Sequence, residues 1–233
     1  MSEYPEPDVP VESRSPADLA GALEAGEPVR LLDVRNRDEF ESWHVDGPSV
    51  THTLIPYMKW LQADAQDAVA ERATEIEGEG PVVAVCGRGE ASAYVAGLLS
   101  QAGIEAQNLA EGMEGWARVS QARTVRADPT VVQYRRPSSG CLGYLVVSGD
   151  EAVVVDPLRA FTDRYVADAR ERGAEVVAVL DTHVHADHVS GLRDLAAATG
   201  ARRILPAPAR ERGVRFESET VADGEQLRVG SAT

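Results

Sequence analysis

Pro81-Val82-Val83-Ala84-Val85-Cys86-Gly87-Arg88-Gly89-Glu90-Ala91-Ser92 is the stretch on which the fold turns. Its first five residues form a short apolar run of the length and β-branched content of a buried strand. A glycine-rich loop follows. A helix then begins, with Val95, Leu98 and Leu99 at i, i+3 and i+4 and Gly103 at its C-terminal end. Strand, loop and helix in that order make one βα unit of a parallel sheet. Upstream, Val29 to Val34 reads as a second buried strand, and Asp38 to Trp43 suits a short helix. Ser15-Pro16-Ala17-Asp18 is a helix start, with Ser as N-cap and Pro at the first helical position; the helix is expected to reach about Glu24 and stop at Gly26.

A second α/β segment lies downstream. Leu142 to Val147, a Gly149-Asp150 turn and Ala152 to Val155 read as a hairpin ended by Asp156-Pro157. Arg164 to Arg172 is expected to be helical, Val176 to Leu180 a buried strand, and Leu192 to Ala198 a helix closed by Gly200. A hairpin around Asp223-Gly224, with its strand near Gln226 to Val229, is the last expected element. The polar, Arg-rich residues 121–137 lack periodicity and are expected to form a linker. The expected organisation is an acidic, mobile tail over 1–9, a first domain over 10–120, and a second over 138–233.

With 233 residues, 43% hydrophobic and 26% charged, the chain has the composition of one or two globular domains. It has no apolar run near the roughly 20 residues that span a bilayer, and its acidic, Pro-rich start is not a targeting segment. Two cysteines make no disulfide scaffold, and a cytoplasmic location is expected. The formal charge is −15, from 38 acidic and 23 basic residues, which disfavours nucleic acid and anionic membrane as partners. Lys59 is the single lysine. An acidic, lysine-poor surface fits either a halophilic protein or an acidic mesophile.

Cys86 stands where a buried strand gives way to a helix. Main-chain N–H groups can converge there on an anion, and the thiolate is the reactive form of cysteine. Arg88 adds positive charge, and Gly87 and Gly89 leave room for a ligand. A strand-end cysteine serving as a small hydrophobe is the alternative.

Three motifs in order resemble the rhodanese family: Leu31-Leu32-Asp33-Val34-Arg35 with Asp38-Glu39-Phe40 and His44-Val45-Asp46-Gly47; the Cys86 to Ser92 loop; and Gly112-Met113-Glu114-Gly115-Trp116. The resemblance covers roughly residues 10–120 and implies that Cys86 carries a sulfane sulfur as a persulfide. Gly87, Arg88, Gly89, Glu90, Ala91 and Ser92 would then surround the substrate together with Asp33 and Arg35, and no cofactor is needed. Glu90 stands where many members carry a second basic residue, so thiosulfate is expected to be a poorer donor than a less charged persulfide. Donors and acceptors would be thiosulfate, low-molecular-weight persulfides and thiols. Phosphatase or arsenate-reductase chemistry, which a similar fold supports, lacks the loop Arg it needs.

His183-Val184-His185-Ala186-Asp187-His188 packs four potential metal ligands into six residues and holds three of the five histidines in the chain. Imidazole and carboxylate suit zinc, iron or manganese. A polar surface loop with Asp187 capping the next helix is the alternative. The run Asp181 to Gly191 resembles the metallo-β-lactamase superfamily and, at Ala186, is more similar to its persulfide dioxygenase branch than to the glyoxalase-II thioesterases, which usually place an aromatic there. Gly140-Cys141-Leu142-Gly143-Tyr144 and Val155-Asp156-Pro157 fit the same branch. The resemblance implies Fe(II) or zinc in the parent domain, with His183 as iron ligand and His185, Asp187 and His188 as ligands or lining.

The implied fold class is α/β: a rhodanese-like parallel sheet flanked by helices, then a truncated metallo-β-lactamase αββα domain. No histidine follows His188, and the parent fold is longer, so the second domain is expected to be incomplete and weak in metal chemistry. Its unpaired sheet edge and open core would then be covered in a homo-oligomer or by a complementing C-terminal polypeptide. Cys141 is expected to pack in a strand. His44 and His52, with no ligand-like neighbour at short spacing, are expected to be structural, and Trp43, Trp60 and Trp116 to be core or interface aromatics. Two functional classes remain: an enzyme of sulfane-sulfur metabolism, or a non-catalytic rhodanese-like binding module attached to a glyoxalase-II-like metallo-hydrolase.

Overall fold

The computed structural model describes residues 4–5, 7–61, 65–76 and 78–233. It divides into two compact units, residues 1–119 and 120–233.

The first unit runs β1 (Glu12–Arg14), α1 (Pro16–Glu24), β2 (Val29–Asp33), α2 (Arg37–Ser42), β3 (Val50–Leu54), α3 (Ala65–Ala70), β4 (Val82–Val85), α4 (Glu90–Gln101), β5 (Ala106–Leu109) and α5 (Gly112–Ala117). The five strands form one parallel sheet in the order β1-β5-β4-β2-β3. Helix α1 starts as its sequence dictates: the Ser15 hydroxyl accepts the Asp18 N–H at 3.0 Å. The apolar runs are unbroken because both sheet faces are covered. Leu32, Val34, Val82 and Ala84 pack on one side against Val95 and Leu99 of α4 and against Trp60. Leu31, Val83 and Val85 pack on the other against Leu19 of α1 and Met113 and Trp116 of α5. Trp60 and Trp116 are buried, whereas Trp43 is exposed.

The arrangement sets the site. In the chain β2 leads to β3 on one side, and β4 leads to β5 on the other. The loops after β2 and β4 therefore diverge at neighbouring strand ends, where parallel sheets place their ligand crevices. Asp33 ends β2, and Cys86 follows β4.

The second unit runs β6 (Gln121–Ala127), β7 (Thr130–Arg135), β8 (Leu142–Ser148), β9 (Glu151–Val155), α6 (Thr162–Glu171), β10 (Glu175–Leu180), α7 (Leu192–Thr199), β11 (Arg202–Pro206) and β12 (Glu219–Val221). These strands make one mixed sheet, ordered β12-β11-β10-β9-β8-β7-β6. The β6–β9 half is an antiparallel meander, and β9 to β12 are parallel. Helices α6 and α7 cover one face, burying Tyr165, Leu192 and Leu195 against Tyr134, Leu145, Val154 and Val179. A register shift between Val176 and Ala178 turns Ala178 to the opposite face, where it meets Val153, Ile204 and Val229. No helix of the described residues is long and apolar enough to cross a membrane.

Three expectations differ from the structure. Residues 121–137 are not a linker: β6 is an exposed edge strand, which is why it reads as polar, and β7 turns Val132 and Tyr134 inward on alternation. Residues 226–229 join no ladder; Val229 packs beneath the sheet while the Gly230 N–H bonds the Glu151 carboxylate at 2.7 Å. Of the tail over 1–9, residues 1–3 and 6 lie outside the described residues, whereas Tyr4 meets Tyr57 edge-on at 5.2 Å.

The second core carries one buried polar anchor. Tyr134 is 1% exposed, and its hydroxyl donates to Asp168 Oδ2 at 2.6 Å. Burial raises its pKa, with the Asp168 bond adding to the shift. Tyr134→Phe keeps the ring and removes the bond, so urea unfolding of this domain is expected to lose about 1–3 kcal/mol; an unchanged midpoint would show that the bond contributes nothing net.

Candidate functional site

Cys86 is 6% exposed and lies on the floor of a cavity of about 380 Å³. Its walls include Arg35 and Asn36 from the loop after β2, Glu39 of α2, and Tyr57 and Met58. Among the described residues two groups donate to Sγ, the Gly89 N–H and the Ser92 hydroxyl, each at 3.1 Å. Gly89 reaches this position with φ of +97°, immediately ahead of α4, so the donors to the sulfur stand at the N-terminal end of a 12-residue helix. The Ser92 hydroxyl is also 2.7 Å from Asn108 Oδ1 of β5. A hydroxyl has one proton, so Ser92 serves either the sulfur or the amide oxygen and can follow the charge on the sulfur.

Helix α5 fixes the loop from below. The Met113 N–H donates to the Cys86 carbonyl at 2.9 Å, and the Glu114 N–H to that of Gly87 at 3.0 Å. Gly112 makes this approach feasible. It has φ of +54°, and a Cβ there would overlap the Cys86 carbonyl oxygen and lie 2.8 Å from the Gly89 nitrogen.

The expected substrate residues separate into roles. Arg35 lines the cavity but is already matched: its guanidinium donates to both carboxylate oxygens of buried Asp33, at 3.0 Å and 2.7 Å, and to the Trp43 carbonyl at 2.9 Å. Asp33 is therefore a positioning residue for Arg35 rather than a wall of the cavity. Arg88, expected to hold an anionic donor, is exposed and bonded through Nε to Glu114 Oε1 at 2.9 Å, which also raises its pKa. Gly87, Glu90 and Ala91 line the cavity, and Ser92 bonds the sulfur. Sequence reasoning missed Asn108 and Tyr57. An Asn inside a buried strand needs a partner, which was the available signal for Asn108. The Tyr57 hydroxyl is buried without a hydrogen-bond partner and its pKa is raised by burial.

The second unit repeats the placement at the ends of its parallel strands: Asp156 follows β9 and Asp181 follows β10. Asp156, with φ of +49°, accepts the Thr182 N–H at 2.7 Å, the Thr182 hydroxyl at 2.7 Å and His185 Nε2 at 3.0 Å. These bonds set the tautomers. A carboxylate only accepts, so His185 carries its proton on Nε2 and presents a lone pair at Nδ1. The Thr182 proton goes to Asp156, so His183 Nδ1, at 2.9 Å from Oγ1, donates and leaves Nε2 free. The rings of His183, His185 and His188 lie in succession, 4.1 Å and 4.0 Å apart. Asp187 Oδ1 is 3.8 Å from His185 Nδ1 and 3.4 Å from His188 Nδ1; a bond from its own main-chain N–H, then His188, holds its carboxyl below the usual range. Burial raises Asp181 above that range.

A metal fits these residues. His188 Nε2 and Asp181 Oδ1 are buried without hydrogen-bond partners, and such lone pairs are what a cation satisfies. Asp156, His183 and His185 bring one ligand atom each within 4.8 Å of one another, as do Cys141, Asp187 and His188. Sequence reasoning missed Asp156 and Asp181 as parts of this site, and it did not foresee that Cys141, which packs against the core as expected, also approaches it. That residue immediately precedes β8, with Sγ 3.7 Å from Asp187 Oδ2.

Comparison with known proteins agrees with both halves. Residues 15–119 match the rhodanese-like domain model, and residues 137–231 match the metallo-beta-lactamase superfamily model. The chain is a rhodanese-like domain followed by a metallo-beta-lactamase superfamily domain. It is similar to a hydroxyacylglutathione hydrolase of Parasynechococcus marenigrum (strain WH8102), 35% identical over 86 residues, 37% of this chain and 34% of that protein. The chain thus spans about a third of the length of the curated relatives it matches. Solved structures similar to it include ETHE1 from Myxococcus xanthus, 23% identical with a TM-score of 0.35 over 48% of this chain and 44% of that one. A rhodanese-like domain protein from Staphylococcus aureus is 26% identical with a TM-score of 0.36, over 46% and 91%. The metallo-beta-lactamase superfamily assignment carries metal binding with it.

The clamp on the Cys86 loop is testable in the rhodanese-like domain. Gly112→Ala adds a methyl group against backbone at positive φ and is expected to cost about 2–4 kcal/mol. Gly21→Ala, inside α1 with nothing within 4 Å of the new Cβ, is expected to stabilise by about 0.5–1 kcal/mol. Denaturant midpoints check both; equal effects would remove the argument that α5 needs a bare backbone at residue 112.

Proposed function

We propose that this chain is an enzyme of sulfane-sulfur metabolism in which Cys86 takes up a sulfur atom as a persulfide and passes it to a thiol. The observation that carries the reading is the pair of donors on Sγ, at the floor of a cavity large enough for a small thiol. The Cys86 thiolate attacks the outer sulfur of a persulfide R–S–SH. A new S–S bond forms between Cys86 Sγ and that sulfur, the S–S bond of the donor breaks, and R–S⁻ leaves with its electron pair. A second thiolate then attacks the outer sulfur of Cys86–S–SH, becomes the new persulfide and returns Cys86 as thiolate. The Gly89 N–H and the Ser92 hydroxyl bear the negative charge whenever the cysteine sulfur regains it. Thiosulfate is the poorer donor in this reading, because Arg35 is neutralised by Asp33, Arg88 by Glu114, and Glu39 and Glu90 face the same cavity.

The metallo-beta-lactamase domain would hold a zinc or iron(II) ion through His183, His185, Asp187 and His188. Such an ion supplies Lewis-acid chemistry toward a persulfide or thioester sulfur compound. Asp156 fixes the His185 ring, and Thr182 relays the same carboxylate to His183. In the dioxygenase-like reading the persulfide made in the first domain is the substrate type of the second, and tethering raises its effective concentration. The glyoxalase-II-like hydrolase reading draws on the relatives named hydroxyacylglutathione hydrolase, while Ala186 speaks against it.

Sulfur transfer to cyanide separates the readings. The full chain is expected to release sulfur faster from glutathione persulfide than from thiosulfate, Cys86→Ala to abolish it, and Ser92→Ala to slow it about 10–100-fold, the worth of a hydrogen bond to an anion. Release that survives Cys86→Ala overturns the proposal. Hydroxyacylglutathione hydrolysis that ignores Cys86→Ala and is lost in His188→Ala would select the hydrolase reading.

A further inference from the structure

We propose that His44, Asp46 and His52 form a second metal site, of the zinc type, on the rhodanese-like domain. The spacing of these residues gave no sign of it, since eight positions separate the histidines. The fold brings them together: His44 and Asp46 lie in the loop after α2, and His52 lies on β3, the edge strand. One ligand atom from each of the three lies within 4.8 Å of the others.

Each residue is prepared for a cation in a different way. His44 Nδ1 is 2.8 Å from the Phe40 carbonyl, which only accepts, so the proton is on Nδ1 and the lone pair on Nε2. A backbone carbonyl behind the ring is the usual support of a metal-binding histidine. The ring also stacks on Phe40, with centroids 4.3 Å apart and planes 13° from parallel, which fixes its direction. His52 meets the His44 ring edge-on at 5.1 Å, and both its nitrogens are buried with no hydrogen-bond partner. A buried imidazole without any partner leaves a polar cost uncompensated, which a metal bond removes. Asp46 is exposed and takes the Gly47 N–H on Oδ1 at 2.7 Å.

Ligands about 2.0–2.2 Å from one tetrahedral ion stand about 3.4 Å apart, so closing onto the ion takes a movement of about an ångström. The exposed Asp46 side chain can supply it by rotation. Two neutral imidazoles and one carboxylate leave a fourth position for water. Occupancy would tie the end of α2 to the sheet edge, and α2 carries Glu39 of the Cys86 cavity.

The histidine cluster of the other domain also binds metal in the proposed function, so the test is made in full-length protein carrying His183→Ala and His188→Ala. After chelation and dialysis, this variant is expected to bind one zinc ion per chain by equilibrium dialysis with metal analysis. Adding His52→Leu or the volume-conserving Asp46→Asn is expected to weaken that binding about 10–100-fold. Asp46 is exposed, so the second variant keeps the fold. In ¹⁵N spectra of the ring nitrogens, zinc should shift His44 Nε2 and one His52 nitrogen while His44 Nδ1 stays protonated. The proposal is overturned if the variant takes up no stoichiometric zinc, if Asp46→Asn and His52→Leu leave the affinity unchanged, or if the histidine nitrogens do not move. None of these readouts depends on sulfur transfer, so failure here leaves the role of Cys86 standing.

Discussion

The Cys86 carbonyl is held by the Met113 N–H, and this one bond fixes where the sulfur goes. A cysteine at a strand end is ordinarily a small hydrophobe. Here the first turn of α5 grips the carbonyls of Cys86 and Gly87, and the bare backbone of Gly112 allows the grip. Cys86 is buried beside the α4 core and still reaches the cavity. The sulfur is left facing the start of α4, where the Gly89 N–H and Ser92 meet it. The Gly-Met-Glu-Gly-Trp motif thus supports the site without lining the Cys86 cavity.

The two domains solve the same problem in the same way. In each, neighbouring parallel strands end side by side and their last or next residues supply the polar groups. Asp33 and Cys86 follow this rule in the rhodanese-like domain, and Asp156 and Asp181 in the metallo-beta-lactamase domain. Each site also spends a buried carboxylate on orientation. Asp33 holds the Arg35 guanidinium, and Asp156 sets the proton of His185 and, through Thr182, that of His183. These two buried carboxylates are tolerated because each of their oxygens finds a donor.

How much of this was legible follows from the physics of each element. The β4–loop–α4 unit could be read because a strand covered on both faces shows as a continuous apolar run ending in glycine. The same logic exposed β2, β8, β9 and β10. Strands β1, β3 and β12 were missed because short edge strands bury little and carry polar residues, as in Val50-Thr51-His52-Thr53-Leu54; the interior strands β5 and β11 were missed because Gln107, Asn108, Arg202 and Arg203 interrupt their apolar runs. Strand β6 was mistaken for a linker for the same reason. The motif residues Cys86 and His183 to His188 were legible because their chemistry is concentrated in a few consecutive positions. Asn108, Tyr57, Asp181 and the His44–Asp46–His52 group were not, because separate elements bring them together and no sequence spacing records that.

The most direct measurement is the intact mass of the reduced chain after treatment with glutathione persulfide, followed by peptide mapping. An addition of ~32 Da located on Cys86, removed by dithiothreitol and absent in Cys86→Ala, is the expected result. An unmodified Cys86 peptide, with the added sulfur elsewhere or nowhere, would contradict the sulfur-carrying role assigned to this cysteine.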